Sequence, residues 1–159
     1  TSMKKIIIIA AMALTLGFQS CKSTGKAVEN PVETVARDDF RSASKAETAR
    51  ILAEVNAKNA NKSVLVLTQT YKGEKIQVTQ SGKVIFSDYP ITNLNTRIAT
   101  YFSISNQADA VIKDVRTGQE VAIPTAKAIK YKYIYIMKKV SDGKFKYVVT
   151  YSNTLRPLG

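Results

Sequence analysis

Histidine is absent from all 159 residues, and cysteine occurs once, at Cys21. Without histidine the commonest general base, the usual zinc ligand and every Ser-His-Asp or Cys-His nucleophile arrangement are missing. Carboxylates, lysines and tyrosines remain as candidate catalytic groups. Asp38 and Asp39 are adjacent but lie in polar, tether-like sequence, and Asp88 precedes Tyr89-Pro90. Asp109 and Asp114 lie at and within an apolar run, and Asp142 belongs to an Asp-Gly turn. A two-carboxylate hydrolase would need acids that only folding could bring together, and the spacing singles out no such pair. No phosphate-cradling glycine loop and no calcium-loop series occurs, so neither cofactor nor metal is implied. The chain reads as a non-enzyme.

The densest chemistry sits near the C-terminus, from Lys127 to Lys146, where seven lysines accompany a single acid, Asp142. Two-residue alternation places Ile129, Tyr131, Tyr133, Tyr135 and Met137 on one face and Lys130, Lys132, Ile134, Ile136 and Lys138 on the other. The next run repeats the theme, Phe145, Tyr147, Val149 and Tyr151 opposing Lys146, Val148 and Thr150. One reading is a contact surface of Lys130, Tyr131, Lys132, Tyr133, Tyr135, Lys138, Lys146 and Tyr147, because tyrosine supplies broad amphipathic area and lysine attracts anions. The plainer reading is a stable sheet, since cross-strand tyrosines are strong strand formers and lysines protect sheet faces and edges.

Cys21 has a different context. Met3-Lys4-Lys5 begins a basic start, Ile6 to Phe18 is largely apolar, and Gln19-Ser20 leads into the cysteine. This run is too short for an ordinary membrane-spanning helix and has the anatomy of a secretory signal. Residues 3 to 21 resemble a bacterial lipoprotein signal peptide, and Phe18-Gln19-Ser20 is similar to the relaxed versions found in Bacteroidota. The resemblance implies that Cys21 becomes the acylated first residue of the mature protein, carrying fatty acid such as palmitate into the outer membrane. Lys22-Ser23-Thr24 follows in place of the acidic residues that usually mark surface-exported lipoproteins, which implies a periplasm-facing location. Thr1 and Ser2 stand before Met3, which reads as the natural start, and are set aside as an expression scar.

Loss of Lys4 and Lys5 with the signal lowers the net charge of +12 to +10. In an exported protein this basic balance points to lipopolysaccharide, anionic phospholipid, peptidoglycan carboxylates or acidic proteins, and not to nucleic acid. The remaining chain suits one domain. Residues 21–43 read as a lipidated N-terminus and flexible tether, able to span roughly 25 Å. Ser44-Lys45-Ala46-Glu47 matches a capping box and predicts a helix, with Ala49, Ile51, Leu52, Ala53 and Val55 on its apolar arc. After Ser63 the period falls to two, and turn signals recur every eight to twelve residues.

Eight strands are expected: Val64 to Thr70, Lys75 to Thr79, Lys83 to Phe86, Arg97 to Ile104, Ala110 to Val115, Glu120 to Ile123, Ile129 to Val140, and Phe145 to Ser152. The fold class is mainly β, an antiparallel sandwich of seven or eight strands behind one short helix, with a small barrel as the alternative. The domain expected is residues 44–159. Anchor, tether, compact β-domain and missing catalytic groups together suggest a protein-binding accessory or assembly subunit of an envelope or secretion complex. A binding module for acidic envelope polymers and a periplasmic inhibitor or immunity lipoprotein share the same sequence-level description.

Overall fold

A computed structural model describes residues 32–159. The signal segment and Cys21 lie outside the described residues. Nine strands and two helices follow in the order β1 Val32–Ala36, α1 Lys45–Glu54, β2 Lys62–Leu67, β3 Ile76–Gln80, β4 Lys83–Asp88, β5 Thr100–Ser105, β6 Ala110–Asp114, β7 Glu120–Ile123, α2 Thr125–Ala128, β8 Tyr133–Ser141 and β9 Lys144–Ser152. A five-stranded sheet, ordered β1-β9-β8-β2-β5, packs on a four-stranded sheet ordered β4-β3-β6-β7. The expected sandwich forms, and among the described residues no sheet closes into a barrel.

Two features depart from the sequence reading. The smaller sheet is antiparallel throughout, but in the larger one β1 runs parallel to β9 and β2 parallel to β8. The ninth strand, β1, falls inside the segment read as tether. Its residues are largely exposed, so hydrophobic patterning could not reveal it. What holds it is pairing to β9 from Val32↔Tyr147 to Ala36↔Tyr151, together with the Asp38 carboxylate, which accepts from Ser152 Oγ, Asn153 N and Thr154 N at 2.7, 2.6 and 3.1 Å.

The larger sheet is covered on both faces, which explains why β2 is a continuous apolar run. Leu65, Leu67, Ile134, Ile136 and Val149 face Ile76, Val78, Ile112, Val121 and Ile123 of the smaller sheet. On the opposite face Val64, Val66, Tyr133 and Tyr135 meet Ile51 of α1 and the C-terminal Leu155 and Leu158. The helix starts where the capping box places it, Ser44 Oγ accepting from Glu47 N at 3.1 Å. The Glu47 carboxylate does not close the box. It accepts instead from Leu158 N at 2.8 Å, tying the C-terminal segment over the sheet.

Local chemistry fixes the hairpins. Asp142 and Gly143 have φ of 52° and 73°, and Ser81 and Gly82 have 49° and 73°, so both two-residue turns carry the paired positive φ that matches strand twist. Strand β8 starts at Tyr133, four residues later than the expected Ile129–Val140 strand, because short helix α2 ends at Ala128 and residues 129–132 carry the chain out of it. The single Ser63 Oγ–H is shared between the Ala128 and Tyr131 carbonyls, each 2.9 Å away. Gln80 clasps the sheets together, donating to the Ser105 and Ala108 carbonyls and accepting from Ser105 N.

Candidate functional site

The structure divides the residues of the expected hairpin contact surface between buried and accessible positions. Tyr133 and Tyr135 are buried beneath α1 and the C-terminal segment, and Tyr147 and Lys138 are buried between the sheets. These four are unavailable to a partner. The alternation of β8 was legible, but alternation does not say which faces a neighbouring layer covers, and here both are covered. Of the other four, Tyr131 leans on Tyr151 with ring centroids 5.5 Å apart, and Lys146 pairs with Glu33 at 2.7 Å. Lys132 Nζ donates to the Asn59 and Lys62 carbonyls at 2.9 and 2.8 Å, and its partial burial pulls its pKa down. Lys130 is exposed, and Lys130, Tyr131 and Lys132 together line a small hollow of about 210 Å³ with Lys62, so three of the eight expected residues share one surface and Lys146 lies apart from them.

Lys138 lies instead in a buried ion cluster. Its ammonium bonds Glu74 and, at 2.8 Å, Asp114 Oδ2, with the rings of Tyr71, Phe145 and Tyr147 around it. Two carboxylates do converge, but on one lysine in the seam between the sheets, where Asp114 Oδ1 also accepts from Arg116 N and Thr117 N of the β6–β7 turn. Their lone pairs are committed to structure. Among the described residues no group of three or more Asp, Glu or Cys side chains is placed to hold a metal ion, and no helix is long and apolar enough to cross a membrane.

The exposed site is a cleft of about 770 Å³ between the β2–β3 and β4–β5 loops. Tyr71 and Thr70 line it on one side, Ile91 and Leu94 on the other, and Lys72 and Arg97 supply its charge. Leu94 is 88% and Ile91 67% exposed, an unusual position for two large apolar side chains. The walls are cross-braced. Thr92 Oγ1 donates to the Thr68 carbonyl at 2.7 Å and accepts from Tyr71 N at 3.0 Å, while Gly73 N donates to the Pro90 carbonyl at 2.9 Å. Asn93 closes the opposite loop, donating to the Ile98 carbonyl and accepting at its own carbonyl from Arg97 N at 2.7 Å.

Two residues of the lining have left-handed backbones, Thr70 with φ 73° and Arg97 with φ 59°. For β-branched Thr70 this is a strained conformation of the kind that concentrates at functional sites. The sequence matches no protein-family model and no curated protein. The site is therefore read from its own geometry.

Past Gln69 the cleft adjoins two smaller hollows, which also count Gln69 in their linings. One, of about 250 Å³, is lined by Arg41, Arg97 and Arg156; the other, of about 290 Å³, by Arg37, Arg156 and Glu33. The Arg156 guanidinium lies 4.4 Å from the Tyr135 ring centroid and 5.2 Å from that of Phe40. Burial lowers its pKa, and the positive charge of Arg37 acts in the same direction. The sequence reading missed this group because its members come from the supposed tether, the β4–β5 loop and the C-terminal tail. Arg41 and Arg156 stand in otherwise unpatterned sequence, and Arg97 was expected to open the Arg97–Ile104 strand, which starts instead at Thr100.

Proposed function

We propose that the chain is a non-catalytic lipoprotein, held by acylated Cys21 on the periplasmic side of the outer membrane, which binds a protein partner as an accessory or assembly subunit of an envelope or secretion complex. The observation that carries the binding reading is the braced cleft with Leu94 and Ile91 exposed at its mouth. Rigid walls lower the entropy lost on association, and large apolar side chains left exposed together beside a cleft mark an interaction site. Lys72 and Arg97 are the only charged residues of the lining, so the fitting partner presents apolar side chains flanked by carboxylates. The absence of histidine and the engagement of Glu74 and Asp114 by Lys138 support the non-catalytic part.

The test uses the native lipidated protein in its envelope, with a photo-crosslinking residue at Leu94 in one strain and at Lys130 in another. A single stoichiometric adduct at Leu94, absent at Lys130 and abolished by Ile91→Asp, supports the cleft as the interface. Equal labelling at both positions would overturn it, and hydrolytic turnover by the purified protein would overturn the non-catalytic reading. Separately, Cys21→Ala should move the protein to the soluble fraction and remove fatty-acid labelling; unchanged membrane retention and labelling would end the anchor proposal.

A further inference from the structure

The arginines beyond Gln69 form a second feature that the apolar cleft does not need. Arg156 is half-buried, its guanidinium is laid against two aromatic rings, and its Nε is buried with no hydrogen-bond partner among the described residues. No carboxylate lies within salt-bridge distance of it among those residues. This is not for want of acids nearby in the fold. Asp39 is taken by Arg37, Glu33 by Lys146, and Asp38 by Ser152, Asn153 and Thr154, while Glu47 holds Leu158 N. Each of these carboxylates is committed elsewhere; Arg156 lines one hollow with Arg37 and the Lys146-paired Glu33, and a second that Arg41 and Arg97 also line and that no acidic residue lines.

Gathering like charges around an unsatisfied buried donor is unfavourable unless a counter-charge arrives. The Tyr135 and Phe40 rings, edge to face at 65°, confine the guanidinium on two sides, and the bond from Arg156 N to Tyr135 Oη at 3.0 Å fixes the backbone that carries it. A planar fork held in advance is suited to an oxyanion, which it grips through two parallel N–H bonds. Arg97 belongs to both this hollow and the large cleft, so one ligand could place an apolar part against Leu94 and an anionic part against Arg156.

The geometry points to the hollow lined by Arg156, Arg97, Arg41 and Gln69 as an oxyanion-binding site, taking a carboxylate or phosphate group in the fork of Arg156. This deepens the binding reading above by naming the group recognised, but it rests on the arginines and fails independently of the cleft. The acid of a protein segment and the phosphate of an envelope lipid or polymer share this chemistry, and small probes separate them.

The experiment follows the arginine Nε–H signals of the purified, lipidated protein in a neutral detergent by ¹⁵N-detected titration, with glutarate in one arm and inorganic phosphate in the other. Arg50, paired with Glu54 at 3.0 Å on the exposed side of α1, is the internal reference. The expected result is a saturable shift at Arg156 with none at Arg50, weakened by added sodium chloride. Arg156→Lys, which keeps charge but loses the fork, should weaken binding at least about tenfold. Should that variant fold poorly, Arg97→Gln and Arg41→Gln change exposed side chains only, and each should weaken binding severalfold. Selective response to glutarate assigns the site to a carboxylate ligand, and selective response to phosphate to a phosphoryl ligand. No saturable shift at Arg156 in either arm, or affinity unchanged in both Arg97→Gln and Arg41→Gln, would overturn the proposal. In that event an intact Leu94 adduct would leave the cleft reading standing.

Discussion

Lys138 Nζ lies 2.8 Å from Asp114 Oδ2 in the seam between the two sheets, and the same ammonium is bonded to Glu74. Burial works to raise both carboxyl pKa values. The hydrogen bond and charge of Lys138, with backbone N–H groups from Lys72 at Glu74 and from Thr117 and Arg116 at Asp114, outweigh it and hold both below their ordinary values. Their contribution to stability is therefore present above the unfolded pKa, roughly pH 4, and is lost as pH falls through the depressed folded values.

Lys138→Met removes the cation and leaves two buried carboxylates uncompensated, which should destabilise the fold by about 3–5 kcal/mol in urea unfolding at neutral pH. The pH dependence should also change sign. Without Lys138, burial raises both folded pKa values above the unfolded ones, so the variant should gain stability as pH falls from 7 toward 5, where the wild type is nearly flat. A variant with the wild-type pH profile would show that the cluster does not hold these acids ionised.

Tyr147 packs beside the same lysine, but its hydroxyl is buried with no hydrogen-bond partner among the described residues, and burial pushes its pKa up. Removing an unsatisfied polar atom while keeping the ring should help. Tyr147→Phe is expected to raise stability by about 1 kcal/mol. Tyr135→Phe is the instructive contrast, because that hydroxyl donates to the Thr154 carbonyl at 2.8 Å and accepts from Arg156 N at 3.0 Å. It should lose about 1–2 kcal/mol, and paired denaturation curves read both signs at once.

These two tyrosines also show where sequence reading stops. Alternation in β8 and β9 was plain, so the strands, the Asp142-Gly143 turn and the two-sheet class were legible from local pattern. So was the start of α1, through Ser44. What a strand faces is a tertiary fact. Tyr135 lies under the C-terminal segment and Tyr147 between sheets, and nothing in Lys-Tyr-Lys-Tyr distinguishes a covered face from an open one. Strand β1 was hidden for the opposite reason: it buries almost nothing, and its place comes from backbone pairing, the Asp38 carboxylate and the Glu33–Lys146 ion pair. The arginines of the Arg156 hollow come from segments more than a hundred residues apart at the extremes, Arg41 and Arg156, with no periodicity to join them.

The carboxylate that holds β1 is itself testable. Asp38 accepts from Ser152 Oγ, Asn153 N and Thr154 N, and these bonds, led by that of Ser152, lower its pKa. Asp38→Ala should leave the sandwich folded while β1 amides and the β9 amides that face it lose protection from hydrogen exchange. The folded pKa is depressed, so the clasp should hold above the ordinary carboxylate range and loosen as pH falls through the lower folded value. Loss of protection throughout both sheets would mean that β1 is integral to the core and not an added edge.

Thr70 gives the cleft its clearest link between strain and function. A β-branched residue at φ 73° is strained, whereas glycine adopts that conformation freely. Thr70→Gly should therefore stabilise the fold by up to about 1 kcal/mol, since relief of strain exceeds the entropy glycine adds to the unfolded chain. Thr70→Ala keeps most of the conformational penalty and should not. The same Thr70→Gly variant frees the cleft floor next to Tyr71, so crosslinking from Leu94 should weaken even as the unfolding midpoint rises. Opposite movement of stability and binding is the mark of strain maintained for a site. A midpoint that fails to rise would show that the surrounding bonds of Thr68, Tyr71 and Thr92 make this backbone a comfortable one, and the cleft would then owe its shape to them alone.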